Sequence, residues 1–224
     1  MALAPPTSKG ALNLALSERD VDLIETLALK VRVLTVNQIA RTWWCRAAQP
    51  TAAARHRLAE LERAGFVVSF TAIAHPEIPL SCPVISWTPG LPAPNFGAAS
   101  HRLKTRWSQP PTETRCVFVS PVTGRHFGGS GGRRPRESEE THDIHLAQVY
   151  LLLRLRDPEA AQNWVSEESV RAGRDRRDEK LPDAIVDTPG ERRVVEFGGA
   201  YAKAKLEAFH RYCCQELQLP YEVW

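Results

Sequence analysis

The chain has 224 residues, 43% of them hydrophobic, with 29 basic against 26 acidic side chains and a net charge of +3. That length supports one large domain or two small ones with real cores, and the near-balance of charge excludes a bulk attraction to polyanions, leaving local clusters as the only route to one. Five cysteines without a Cys-x-x-Cys pair speak against a zinc or disulfide framework and for reduced thiols in a cytoplasmic protein, and no apolar run near the start is long enough for a signal peptide or a membrane span.

Residues 1–15, with Pro5 and Pro6, read as a disordered lead-in. Ser17 then caps a helix carrying Val21, Ile24, Leu27 and Ala28 at helical spacing, and Thr35 caps a second through Ile39, Ala40 and Trp43. A third, capped by Thr51, runs through Ala54, Leu58 and Leu61 and stops at Gly65. Residues 66–70 and 84–87 read as two strands around a proline-bearing loop. Three helices followed by a hairpin predict a winged helix-turn-helix over 16–90.

Residues 91–123 form a connecting region, with a helix expected over 97–107 and a strand over 115–120. The Gly-, Ser- and Arg-rich run 124–141 reads as a flexible basic linker that divides the chain. Beyond it, 142–224 reads as an α/β domain. It has a helix over 144–156, a strand over 163–170 around Trp164, and two strands, over 184–187 and 192–197, flanking the Thr188-Pro189-Gly190-Glu191 turn. A helix over 202–217 and a last strand over 219–224 follow.

With Ala54, Leu58 and Leu61 facing inward, ~100° per residue puts Ala52, His56, Ala59 and Arg63 on the opposite face of the third helix, with Arg55 and Arg57 at its edges. Small alanines admit a groove and arginine forks meet guanine edges or phosphates, so DNA is the expected partner there. Thr51 opens that helix. Arg32, Arg41 and Arg46 lie on or beside the preceding helix, where phosphate contacts are expected. The same face would also serve protein docking.

Asp183, in Leu181-Pro182-Asp183-Ala184, and Glu196, near the end of the next apolar run, are expected side by side on a hairpin, a pair that suits Mg²⁺. In metal-dependent nucleases built on such a pair, a nearby lysine neutralises charge developing at phosphorus. Gly198 stands two residues beyond the glutamate, where that lysine is usual. Lys203, Lys205 or Lys180 would have to replace it, and Glu167 or Glu168 would supply a further acid. His142 and His145, three apart, form either a metal pair or, with Asp143 as a cap, an ordinary helix start.

The run Leu61-Glu62-Arg63-Ala64-Gly65-Phe66-Val67 and the motifs His142-Asp143-Ile144-His145-Leu146-Ala147 with Val149-Tyr150-Leu151, Trp164, Glu167 or Glu168, Leu181-Pro182-Asp183-Ala184 and Glu196 occur in this order. In that order the chain resembles the replication-relaxation family of plasmids and integrated elements. The resemblance implies an N-terminal DNA-binding domain and a C-terminal domain similar to the PD-(D/E)XK nuclease fold, commonly with an incomplete active site, which Gly198 matches. The expected function is DNA binding for a mobile element in replication, mobilisation or transcription control, with the C-terminal domain as a dimerisation or DNA-backbone platform. Alternatives are a Mg²⁺-dependent endonuclease with a migrated lysine, or an antitoxin-like or defence-complex adaptor that docks on a protein through Cys213, Cys214 or 219–224.

Overall fold

Two capping boxes start the first helices. In the computed structural model, which describes residues 14–172 and 181–224, Ser17 accepts from the Asp20 N–H while the Asp20 carboxylate accepts from the Ser17 N–H. Helix α1 (Glu18–Glu25) begins there and widens into a π-helical turn at Thr26–Lys30. Thr35 and Gln38 repeat the arrangement at α2 (Val36–Trp43). Each box satisfies N–H groups that the helix itself leaves open, an effect of ~1 kcal/mol. Helix α3 (Pro50–Arg63) starts differently. Pro50 occupies its first turn and Gln49 gives no side-chain cap, so Thr51, expected at the cap, lies inside the helix. The lead-in lies almost wholly outside the described residues, and Lys180 lies outside them altogether.

The expected hairpin is not formed. β2 (Val67–Ala74) does not pair with β3 (Ile85–Trp87), which belongs to a different sheet. After α4 (Phe96–Thr105) comes β4 (Thr112–Val119), and β2 pairs antiparallel with it from Val67 opposite Val119 to Ala74 opposite Thr112. β1 (Leu34–Thr35) joins the other side of β4, giving the order β1-β4-β2. The middle position suits β4, because Cys116, Val117, Phe118 and Val119 are all buried and can be covered on both sides.

The chain therefore divides into two compact units that interleave in sequence: residues up to Ala74 with Thr112–Ala147, and His75–Pro111 with Gln148–Trp224. Neither the expected boundary at 90 nor a divider at 124–141 matches this partition. Val33, Phe70, Ala72, Ala74, Cys116, Phe118 and Ile144 form a core cluster of the first unit. Its remaining helices are α5 (Pro121–His126) and the first half of α6 (Glu137–Arg156), which begins earlier than predicted.

The glycine-rich run between them is close-packed backbone rather than a spacer. A Cβ on Gly129 would stand 2.3 Å from Ala28 O, and one on Gly132 only 1.8 Å from Val119 O. Only glycine permits such approaches.

In the second unit, α6 ends and α7 (Pro158–Gln162) leads to β5 (Trp164–Ser166), a strand shorter than expected because α8 (Glu167–Ala172) follows at once. β6 (Ala184–Thr188) and β7 (Glu191–Glu196) make the predicted hairpin, with Gly190 at φ +88°. Helix α9 (Lys203–Arg211), extended by a π-helical turn at Tyr212–Leu217, crosses over to β8 (Tyr221–Val223), which runs parallel to β7. The sheet order is β3-β8-β7-β6-β5. Leu206 and Phe209 of α9 and Leu103 of α4 pack with Val194, Tyr221 and Val223 on it. The architecture is mixed α and β, and no described helix is long and apolar enough to cross a membrane.

A fragment spanning 16–90 lacks the central strand of the first sheet and is expected to show no cooperative thermal unfolding by circular dichroism. In the full chain, Gly132→Ala forces a methyl against a backbone carbonyl and is expected to cost roughly 1–3 kcal/mol in chemical denaturation.

Candidate functional sites

Two sites follow from the two units. The first is the outer face of α3. Ala52, Arg55, His56, Ala59 and Arg63 are exposed there, Thr51 is half-buried, and Arg41 and Arg46 are exposed on and after α2.

Arg57 departs from the expectation of a DNA-facing edge. Its Nε and Nη2 donate to Asp20 at 3.0 and 2.7 Å, and its Nη1 donates to Glu60 at 2.7 Å. Asp20 is 1% exposed, so this fork meets a buried carboxylate that also closes the α1 capping box. Burial pushes the Asp20 pKa up, but hydrogen bonds from Arg57 and Ser17 and the charge of Arg57 outweigh it, and the net shift is downward. The pair thus stabilises the fold above the ordinary aspartate pKa and loses that contribution as pH falls through the lowered value. Position 57 adjoins the buried Leu58, which is the signal that could have placed it. Arg32 is likewise committed, with Nη1 donating to Asp143 at 2.6 Å.

Acidic side chains on α3 are also engaged within the unit. Glu62 accepts from the Ser69 N–H and Oγ at 2.7 and 2.9 Å, and Glu60 lies 3.5 Å from His56 besides binding Arg57. Helix α3 is pinned to α1 on one side and to β2 on the other. Its cationic face is what remains.

The second site is the end of the β6–β7 hairpin. Pairing of Ala184 with Val195 brings Asp183 and Glu196 together, as the sequence predicts. The Asp183 N–H donates to Glu196 Oε2 at 3.3 Å, the Phe197 N–H donates to Asp183 Oδ2 at 2.7 Å, and the Tyr201 hydroxyl donates to Glu196 Oε1 at 2.7 Å. Glu196 is 3% exposed. Burial raises the Tyr201 pKa, and the charges of Glu196 and Asp183 raise it further, so the phenol stays protonated as a donor.

Among the candidate lysines, Lys205 holds its Nζ 3.4 Å from the Tyr201 ring centroid. Lys203 is instead exposed and pairs with Glu207 at 3.7 Å. Glu167 is paired with Arg171, and Glu168 lies beside it at the start of α8. Among the described residues no group of three His, Cys, Asp or Glu side chains could hold a metal ion. Three of the four carboxylate oxygens of Asp183 and Glu196 accept from protein donors, which relieves part of the repulsion between the two groups and leaves fewer lone pairs for a cation. The helix start expected at Asp143 lies earlier: α6 begins at Glu137, so His142, Asp143 and His145 are all inside it and Asp143 is not a cap; His142 Nδ1 is 3.2 Å from Asp143 Oδ1, and His145 is fully buried with Nδ1 2.7 Å from Thr141 O.

Gly198 has a steric reason. A Cβ there would meet Val223 Cγ1 at 2.8 Å and the Leu103 methyls at 3.0 and 3.1 Å. Leu103 comes from α4, which forms where a helix over 97–107 was expected, inside the region read as a connection. That reading missed Arg106, whose guanidinium lies 4.6 Å over Phe197 and 5.4 Å over Trp107, with burial lowering its pKa to about 10. The Arg106-Trp107 pair at the end of the expected helix was its signal.

No protein-family model, curated protein or solved structure matches this chain.

Gly198→Lys is expected to destabilise the protein by roughly 1–3 kcal/mol, read by chemical denaturation, because the new side chain must displace Leu103 or β8.

Proposed function

We propose that this chain is a DNA-binding protein of a mobile genetic element, acting in replication, mobilisation or transcription control, whose first unit is a winged helix-turn-helix and whose second is a PD-(D/E)XK-like fold without cleavage activity. The observation that carries the reading is the outer face of α3. Arg55, His56 and Arg63 are exposed around Ala52 and Ala59, while the acids Glu60 and Glu62 are occupied by Arg57 and Ser69. Supporting it, with the excursion through β3 and α4 set aside the first unit runs α1-β1-α2-α3-β2-β4 in the sheet order β1-β4-β2, an arrangement compatible with a winged helix in which α3 would be the reading helix.

For the second unit, three antiparallel strands, a crossover helix and a parallel strand support the nuclease-like fold. Its carboxylates are engaged by Phe197, Tyr201 and each other's strand, and the lysine position is closed by Leu103 and Val223. The mobile-element assignment rests on the order of short motifs. The second unit then serves as a platform for a second copy, for the DNA backbone or for a protein partner.

Electrophoretic shift on duplex DNA tests the reading. Arg55→Ala and Arg63→Ala are each expected to weaken binding by ~1–3 kcal/mol where the arginine reads a base, and Arg41→Ala or Arg46→Ala to flatten the salt dependence. Absence of any shift at low salt on any duplex overturns it. The same incubations with Mg²⁺ or Mn²⁺ are expected to leave the DNA intact; metal-dependent cleavage lost in both Asp183→Asn and Glu196→Gln would replace this reading with an endonuclease.

A further inference from the structure

β2 is an edge of its sheet, with β4 on one side and no strand among the described residues on the other. Its sequence, Val67-Val68-Ser69-Phe70-Thr71-Ala72-Ile73-Ala74, has neither charge nor proline and is rich in β-branched and aromatic residues. Strands of that composition pair edge to edge with their own kind unless something prevents it.

In antiparallel pairing, alternate residues turn their backbone groups toward the partner strand and the others away. The Ser120 N–H donates to Phe66 O, so even-numbered residues of β2 face β4, and Ser69, Thr71 and Ile73 face outward. A side chain meets each of these three. The Glu62 carboxylate accepts from the Ser69 N–H at 2.7 Å, the Glu140 carboxylate accepts from the Ile73 N–H at 2.9 Å, and Arg134 Nη2 donates to Thr71 O at 3.5 Å. Arg134 also pairs with Glu140 at 3.3 Å and covers the Phe70 ring at 4.7 Å. Glu140 is 2% exposed, a burial that disfavours a carboxylate unless such donors meet it.

We propose that the outer edge of β2 is a latent pairing surface for the β2 of a second copy of this chain, held shut by Glu62, Arg134 and Glu140. Two edges meeting antiparallel would exchange the outward groups of Ser69, Thr71 and Ile73 that those side chains now occupy. The ladder to β4 uses the other backbone groups, so opening the edge leaves the sheet itself paired. The inference is independent of DNA binding.

Sedimentation velocity on the full chain tests it, with circular dichroism to establish that each variant is folded. Glu62→Ala combined with Glu140→Ala removes both acceptors and is expected to bring self-association at about ten- to a hundredfold lower protein concentration than the wild type, the effect of two exchanged hydrogen bonds. Glu62→Gln with Glu140→Gln keeps an acceptor oxygen at each position and should behave as the wild type. Adding Thr71→Pro to the alanine pair should abolish the new association, since that N–H points outward and proline is tolerated on an edge. Association unchanged in the alanine pair, or persisting with Thr71→Pro, overturns the proposal. If the double variant fails to fold, Glu140→Ala alone decides by hydrogen exchange and sedimentation. Faster exchange at Ile73 with increased association supports the latch, and an unchanged rate sinks it.

Discussion

The pairing of β2 with β4 is the constraint from which the remaining organisation follows. β4 bonds to both β1 and β2, and its residues Cys116 to Val119 are buried in the first unit. Because it enters the chain long after β2, the whole of His75–Pro111 must leave and return between two strands lying side by side. A structureless loop of that length would be unusual in a compact fold. Here it is not structureless: it contributes β3 to the second sheet and α4 to the core against it, where Trp87 and Leu103 are buried.

Local chemistry was legible in the sequence and partner choice was not. The caps at Ser17 and Thr35 and the turn at Gly190 each involve residues within a few positions of one another and form as read, with Asp20 and Gln38 completing the two capping boxes. The apolar runs at 66–70, 84–87 and 115–120 look alike to a periodicity argument. What separates them is how much of each can be buried and on how many sides, which only the assembled sheets decide. Glycine is ambiguous for a related reason: the residue that frees a linker is also the one that lets two backbones touch, as Gly129 and Gly132 do. Arg57 was misassigned because an arginine beside a buried stripe can turn outward or reach the buried acid of a neighbouring helix, and Asp20 lies far away in sequence.

The candidate site at Asp183 and Glu196 carries a similar lesson about chemistry. Two adjacent carboxylates repel, and something positive or donating must relieve them. A cation is one solution. Donor groups are another, and in this chain the Phe197 and Asp183 N–H groups and the Tyr201 hydroxyl meet the pair, with Lys205 stacked on the Tyr201 ring. The residue types were readable and so was their adjacency. The donors were not, because one is a tyrosine beyond the strand and two are backbone groups whose direction depends on the hairpin register.

The interleaving has a consequence for how the first unit forms. Closing a loop costs entropy that grows only slowly with its length, so the separation of β2 from β4 is a modest thermodynamic burden. Its larger effect is kinetic, since non-local strand pairing waits until the intervening chain has been brought back. Until β4 arrives, β2 lacks the partner that occupies its inner edge, and its outer edge depends on Arg134 and Glu140, which lie later still in the sequence. Glu62, seven residues before Ser69, is the exception, and it engages that edge from within the same local segment. The acid that pins α3 to β2 is therefore also the one able to guard the strand before the rest of its sheet exists.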